Sequence, residues 1–224
     1  MLGLSLRYTN TKDMKTQLRL IVLAGLLFIG NAASAQSEIQ TVFGKGKSVG
    51  GYGALSNKFT AIGGTYANMV EAYGGVYLNK RLMIGGAAAA TTNYIAVPSE
   101  YSIDPSKRMS YEYGQLGMMT EYVFGSDKAI HVAFSFFAGA GFTLQYERPE
   151  WNHETAYDYP NYTGAEDTFF VAEPGVQLEV NVFKWMRFSP GVSYRATYGS
   201  HAVGLSDTDL SKISYNATLK FGKF

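Results

Sequence analysis

A strict two-residue alternation of apolar and polar side chains over residues 187–199 constrains this chain more than any other feature. The apolar face of the segment consists of Phe188, Pro190, Val192, Tyr194, Ala196 and Tyr198. A period of two is that of a β-strand. Thirteen residues is about twice the usual length of a strand in a soluble protein, but it suits a strand that crosses a bilayer at a tilt. The segment therefore predicts a membrane-spanning strand.

The same alternation recurs along the chain. It is clear in 130–147, 169–183 and 212–224 and weaker in 67–78 and 110–124. In the Gly/Ala-rich segment 82–95 the facing is uncertain, and in 47–58 three glycines hide the phase. With 187–199, these segments predict eight strands, an even number.

The connections alternate in length. Short ones follow the second, fourth and sixth segments (79–81, 125–129 and the stretch around 184–185). Long polar ones follow the third, fifth and seventh (96–109, 148–166 and 200–211), whereas the connection after the first, 59–66, is modest. This pattern predicts an all-β fold, an eight-stranded antiparallel up-and-down transmembrane β-barrel with both termini periplasmic. A soluble barrel of the lipocalin type is the alternative.

The first 35 residues have the order of features of a cleavable signal peptide. Basic residues precede the apolar run 20–29, and Ala33-Ser34-Ala35 supplies small residues before Gln36. The run is short for the alternative, a transmembrane anchor. We predict a signal peptide over 1–35 with its start at Met14, a periplasmic lead-in over 36–46 and the barrel over 47–224.

Composition excludes several classes of function. The chain has no cysteine, so it has no disulfide framework, and its 19 basic and 18 acidic residues do not indicate a nucleic-acid partner. The stretch 44–48 superficially suggests a phosphate loop, but Thr41 stands where that motif needs glycine. We expect no cofactor and no metal.

Several motifs occur in an order and spacing that resemble a known group. They are Gly50-Gly51-Tyr52-Gly53, the stretch from Gly74 to Asn79, Gly191-Val192-Ser193-Tyr194-Arg195, and Leu219-Lys220-Phe221-Gly222-Lys223-Phe224. The chain resembles the small, OmpA/OmpX-like outer-membrane β-barrel proteins of Gram-negative bacteria. The resemblance implies an outer-membrane location, contact with outer-membrane lipids, and a last strand read by the barrel-insertion machinery through Leu219, Phe221 and Phe224. Phe224 departs from the pattern, because it is out of phase with the other two.

Charged residues occupy the polar face of the predicted strands. They are Glu71, Glu121, Glu173, Glu179, Arg187, Arg195 and Lys220. The interior of eight strands is wide enough only for side chains, so these charges should pair in a stiffening plug. A three-residue turn over 183–185 would place Glu173 opposite Arg195 and Asn181 opposite Arg187. A narrow gated pore or a proton-linked path is the alternative.

Aromatic residues mark two surfaces. In the loop 148–166, Trp151, Tyr157, Tyr159 and Tyr162 alternate with acidic residues, which suits recognition of an extracellular protein or glycan. The alternative is that this loop folds over the barrel mouth as an outer girdle. Near the short turns, an inner girdle is predicted from Tyr77, Phe124, Phe183, Trp185 and Phe221.

Catalysis has little support in the sequence. The histidines are His131, His153 and His201, and the only grouping with catalytic residue types is His201 with Ser200 or Ser206 and Asp207. The leading hypothesis is therefore a structural anchor or surface-interaction protein that is not an enzyme. A small channel or carrier is the first alternative, and a lipid-modifying barrel enzyme is the second.

Overall fold

The computed structural model describes residues 49–148 and 164–224. The predicted signal peptide, the lead-in, the stretch 44–48 and the aromatic residues of the loop 148–166 lie outside these ranges. The described strands are β1 (Val49–Ile62), β2 (Thr65–Leu78), β3 (Leu82–Thr91), β4 (Ile95–Ala96), β5 (Met109–Phe124), β6 (Ile130–Glu147), β7 (Asp167–Phe183), β8 (Met186–Tyr194), β9 (Ala196–Tyr198) and β10 (Ile213–Lys223). A 3-10 turn spans Ser99–Tyr101, and a one-turn helix, α1, spans Asp207–Leu210.

The strands form one antiparallel sheet that closes on itself. Each long strand pairs with the next along the chain, and β1 pairs with β10 to complete the ring. The short strand β4 lies beside β5, while β9 continues the line of β8 along β7, so the ring has eight strands. The predicted eight-stranded up-and-down barrel is therefore confirmed.

The strands differ from the predicted segments mainly in the first half. β1 and β2 run to a two-residue turn at Gly63 and Gly64, whose φ angles are 56° and 77°. Such a hairpin turn needs two left-handed residues, which glycine supplies without strain. The predicted connection 59–66 is therefore wrong, because most of it belongs to the strands. The strand predicted over 82–95 ends at Thr91.

Side chains alternate between the lumen and the exterior of the barrel. Many large apolar side chains face outward and are exposed, among them Leu55, Phe59, Val70, Val76, Leu116, Met118, Phe134, Phe136, Phe170, Leu178 and Tyr215. Polar and charged side chains are buried inside. The structure also settles the facing of β3, where Met83, Ala87 and Ala89 are buried and Ile84 is exposed.

The two ends of the barrel are built differently. The turn end carries the connections 79–81, 125–129 and 184–185 together with Phe224. Of the described connections, those from β1 to β2, from β3 to β5 and from β9 to β10 lie at the loop end. At the loop end, the loop 199–212 folds inward, burying Leu205 and Leu210. Ser206 starts α1 with a capping box, in which its hydroxyl accepts from the Asp209 backbone N–H and the Asp209 carboxylate accepts from the Ser206 backbone N–H. The helix holds Leu210 over the mouth.

Over the residues described, no helix has the length and apolar character needed to cross a membrane.

Candidate functional site

The lumen of the barrel collects charged and titratable residues from seven strands, and Arg195 between β8 and β9. Those buried there are Lys58, Glu71, Glu121, His131, Glu173, Glu179, Arg187, Arg195 and Lys220. Alternate residues of a strand lie on the same face. Charged residues on the inward face of each strand therefore meet inside the ring. They divide into a turn-end cluster, a central cluster and Arg195.

The turn-end cluster consists of Glu121, Glu179, Arg187, Lys220 and His131. Lys220 Nζ lies 2.8 Å from both carboxylate oxygens of Glu121 and 2.5 Å from Glu179 Oε1. The other Glu179 oxygen lies 2.9 Å from Arg187 Nη1 and 2.7 Å from His131 Nε2. Two carboxylates thus face two permanent cations, and this arrangement makes the burial of the charges tolerable.

Aromatic rings seal this cluster toward the turn end. The hydroxyls of Tyr52 and Tyr73 donate to Glu121. The ring centroid of Phe224 lies 3.9 Å from Arg187 Cζ, and the Phe224 ring also packs against Tyr52 at 5.3 Å. Such cation–π contacts are strongest where water is excluded.

The central cluster consists of Lys58, Glu71, Glu173, Gln115 and Ser193. Lys58 Nζ lies 3.2 Å from Glu71 Oε1 and 2.5 Å from Glu173 Oε1. Glu173 also accepts hydrogen bonds from Gln115 Nε2 at 3.0 Å and Ser193 Oγ at 2.5 Å. One ammonium group therefore holds two carboxylates together.

Lys58 was missed by the sequence prediction of the lumen charges. The glycines at 50, 51 and 53 hide the phase at the start of β1. A signal was present further along, because the apolar Leu55 and Phe59 share one face and leave Lys58 on the other. Because Leu55 and Phe59 point outward, the alternation between them places Lys58 in the lumen.

Arg195 is the lumen charge that departs from the predicted pairing. The register of β7 with β8 and β9 places it opposite Glu173, as predicted, and Asn181 pairs with Arg187. The Arg195 guanidinium nevertheless donates to the carbonyls of Leu210 at 2.7 Å and Ala61 at 3.0 Å. No ion pair of Arg195 occurs among the described residues. The expectation that every lumen charge has an opposite charge as partner is therefore wrong for Arg195.

The Arg195 side chain joins the lumen to the cap at the loop end. Its guanidinium carbon lies 4.6 Å from the Tyr113 ring centroid, and the carbonyl of Leu210 that it binds belongs to α1. Further hydrogen bonds join the cap, formed by the loop 199–212, to the barrel, among them those from Gly63 N to Asp209 O at 3.2 Å and from the Tyr111 hydroxyl to Val203 O at 2.8 Å.

Little space is left between these groups. A cavity beside Lys58, Glu71 and Glu173 has a volume of about 10 Å³, enough for roughly one water molecule. Phe137 lines this cavity, and the large side chains of Tyr113 and Met69 are also fully buried. An interior filled by side chains is the general property of a ring of eight strands.

The grouping of His201 with serine and aspartate is not assembled as a catalytic site. Asp207 accepts hydrogen bonds from the backbone of Gly199 and Ser200, and the Ser200 hydroxyl donates to Asp167 and to the Leu205 carbonyl. The backbone N–H of His201 also donates to Asp167. These serine and aspartate side chains therefore organise the loop 199–212.

The Ser206 hydroxyl is engaged with Asp209 in the cap of α1. His131 lies in the lumen with Glu179, and His153 lies outside the described ranges. The described residues contain no group of three or more potential metal ligands.

The aromatic residues near the short turns divide between two faces. Phe183, Trp185 and Phe221 stack on the exterior, with ring centroids 5.5 and 6.2 Å apart. Phe124 is also exposed and packs on Phe134 at 5.6 Å. The assignment of Tyr77 to this girdle is wrong, because its side chain is buried in the lumen.

The C-terminal residues proposed as an insertion signal also divide. Leu219 and Phe221 face outward, whereas Phe224 turns into the lumen against Tyr52 and Tyr77. The phase difference in the sequence therefore corresponds to a real difference in direction. It arises because Phe224 closes the turn end of the barrel.

No protein-family model and no curated protein matches the chain. Among solved structures, the chain is similar to Neisserial surface protein A, with a TM-score of 0.52 and 11% identity over 80% of this chain and 100% of that one. Matches at a TM-score of 0.44 and 10% identity are the N-terminal β-barrel domain of Pseudomonas aeruginosa OprF, over 76% of this chain and 96% of that one, and Ail of Yersinia pestis, over 80% and 99%. The chain therefore has the fold of a small outer-membrane β-barrel protein.

Proposed function

We propose that this protein is a non-conducting anchor in the outer membrane of a Gram-negative bacterium, which presents its loop end at the cell surface and has no catalytic activity. The observation that carries the proposal is the filled lumen. Two charge clusters occupy its centre and turn end, and aromatic or apolar groups cover both mouths.

The exterior of the barrel supports membrane insertion. Exposed leucine, valine, methionine and phenylalanine side chains cover the wall, and in water such a surface would be very costly. The stack of Phe183, Trp185 and Phe221 suits the interface between lipid tails and headgroups at the turn end. At the loop end, Phe170 and Tyr198 are exposed in a similar position.

The orientation follows from the lengths of the connections. Outer-membrane barrels have short periplasmic turns and longer extracellular loops, so we assign the turn end to the periplasm. Because the chain has no cysteine, single cysteines can report this directly. Ser106→Cys at the loop end should react with a membrane-impermeant maleimide on intact cells, whereas Asp127→Cys at the turn end should react only after lysis. The reverse pattern would contradict the orientation.

The filled lumen argues against the channel hypothesis. An ion that crossed the barrel would have to displace the contacts of Lys220 with Glu121 and Glu179, and then those of Lys58 with Glu173. It would also have to pass the cap over the loop end. Each of these groups is buried and paired, so opening a path would leave charges without partners.

Conductance in planar bilayers tests the closed lumen. Purified protein, refolded and shown to be inserted by its gel mobility before and after boiling, should give no discrete current steps. A variant with Tyr52→Ala, Phe224→Ala and Leu210→Ala, which widens both mouths but keeps the charge clusters, should also stay closed. Steps from the wild-type protein would overturn the proposal.

Recognition at the loop end belongs to the same proposal. We propose that Trp151, Tyr157, Tyr159 and Tyr162 contact an extracellular protein or glycan, because tyrosine and tryptophan in a surface loop are favourable contact residues. Replacing all four with serine should abolish adhesion of expressing cells to host cells or glycan surfaces without changing the amount of folded barrel. Equal adhesion by both forms would refute this part of the proposal.

A further inference from the structure

A pocket of about 190 Å³ lies at the loop end, outside the lumen. The connection between β4 and β5 forms one side of it, and Arg148, at the end of β6, forms the other. The Arg148 backbone N–H donates to the Arg108 carbonyl at 2.9 Å, which holds the two arginine residues side by side. This backbone hydrogen bond therefore fixes the two sides of the pocket relative to each other.

The lining of the pocket is strongly basic. Lys107, Arg108 and Arg148 all contribute to it. Lys107 is paired with Glu147 at 2.7 Å, while the nearby Asp104 carboxylate accepts hydrogen bonds from Ser106. Within the described ranges, Arg108 and Arg148 take part in no ion pair. The positive charge of the two guanidinium groups thus has no neutralising partner in the described part of the chain.

Two buried polar atoms of the pocket also lack hydrogen-bond partners among the described residues. They are Nε of Arg148 and Oγ of Ser102. A guanidinium N–H can only donate, and a hydroxyl can donate as well. Leaving such a donor buried without an acceptor is unfavourable. A ligand with negatively charged acceptor oxygens would satisfy both atoms and complement the surrounding positive charge.

We propose that this pocket binds a phosphate group, held by the guanidinium groups of Arg108 and Arg148 and by the Ser102 hydroxyl. A phosphate monoester has several acceptor oxygens and up to two negative charges, and arginine matches its geometry with paired N–H donors. A single carboxylate would engage fewer of these donors.

The position of the pocket suits a phosphate carried by a lipid headgroup. Arg148 Cζ lies 5.5 Å from the ring centroid of Tyr94, and Tyr94 packs near Tyr146 at 6.4 Å. Tyrosine side chains of membrane barrels concentrate at headgroup depth. A soluble phosphoester at the cell surface would carry the same chemistry, so the experiment separates the two sources.

The test uses the full refolded protein in dodecyl maltoside, a detergent without phosphate. Native mass spectrometry counts bound pyrophosphate or phosphatidic acid, and titration calorimetry measures the pyrophosphate affinity at constant ionic strength. We expect one equivalent of pyrophosphate or of phosphatidic acid. Binding of phosphatidic acid alone assigns the site to a lipid, whereas binding of both probes supports a phosphate site open to soluble ligands as well.

Three variants test the assignment to these residues. Arg148→Gln should weaken binding at least about tenfold, because hydrogen bonds to charged groups contribute about 1.5–3 kcal/mol each, and Ser102→Ala should weaken it less. The matched control is Arg81→Gln, which removes an exposed arginine at the turn end. Wild-type affinity in Arg148→Gln and Ser102→Ala, equal weakening in Arg81→Gln, or no saturable binding of either probe would overturn the proposal.

Discussion

The Lys220→Met substitution tests whether the charges of the turn-end cluster are shielded from water and stabilise one another. The ammonium group of Lys220 is fully buried and contacts Glu121 at 2.8 Å and Glu179 at 2.5 Å. Methionine fills most of the same volume without the charge. After the substitution, Glu179 keeps Arg187 at 2.9 Å, but Glu121 keeps only tyrosine hydroxyls. The cluster is then left with two carboxylates and one permanent cation.

The expected loss of stability follows from this excess negative charge. Removing one partner of a buried ion pair costs about 3–5 kcal/mol, because the remaining charge stays desolvated. An exposed pair contributes only about 0–1 kcal/mol, and Lys107 with Glu147 is such a pair, with side chains 38% and 33% exposed. Lys107→Met is therefore the matched control, and we expect it to destabilise the protein by less than about 1 kcal/mol.

The assay is urea unfolding of the refolded barrel in detergent micelles, followed by tryptophan fluorescence and gel mobility. The double variant Lys220→Met with Glu121→Gln removes the unpaired charge together with its partner, so it should recover most of the stability lost in the single variant. If Lys220→Met costs no more than Lys107→Met, or if the double variant is less stable than the single one, the argument for a dry, coupled network fails.

Two further predictions concern the barrel wall and the cap. Gly141→Ala should destabilise the barrel by about 1–3 kcal/mol in the same urea assay, because a Cβ there would lie 2.1 Å from the Phe169 ring; Gly86→Ala, whose nearest neighbouring atom would be 3.7 Å away, should be nearly neutral, and equal effects would contradict the packing argument. The Ser206 hydroxyl and backbone N–H hold the pKa of Asp209 below its usual range, so its stabilisation of α1 is present above the unfolded pKa of about 4 and is lost as the pH falls through the folded value. The protection of the Ser211 amide against hydrogen exchange, taken relative to the intrinsic exchange rate at each pH, should fall below about pH 4 in the wild type and lose this pH dependence in Asp209→Asn. An unchanged profile in the variant would refute the role of Asp209.

Local pattern was sufficient for most of the fold. The segments 130–147, 169–183 and 187–199 alternate so strictly that the facing of their side chains follows from the period alone. The structure agrees along each of them except at the end of β7, where Val182 and Phe183 are both exposed. The Asn181–Arg187 register agrees with the prediction although the predicted three-residue turn is wrong. The turn has only two residues, 184–185, and a register shift between Asn181 and Phe183 supplies the extra residue. These features depend on residues close together in the chain.

The sequence was less informative where side chains are small. Glycine and alanine in β1 and β3 show no contrast between the two faces, so their phase depends on the neighbouring strands. Lys58 was missed for this reason. The inward direction of Phe224 and Tyr77 likewise follows from the closed mouth of the barrel, since apolar residues at a strand end suit either lipid or a sealed lumen.

The alternation that first constrained the chain thus determined, without any structure, that it forms long strands with one apolar and one polar face. Which charges meet inside was decided only by ring closure. Lys58 reaches Glu173 across 115 residues of sequence, and Lys220 reaches Glu121 across 99. Arg195 turns from Glu173 to the cap because folded α1 presents the Leu210 carbonyl within its reach. Electrostatic partners are set by distance in space, and a period of two specifies only the face on which a residue lies.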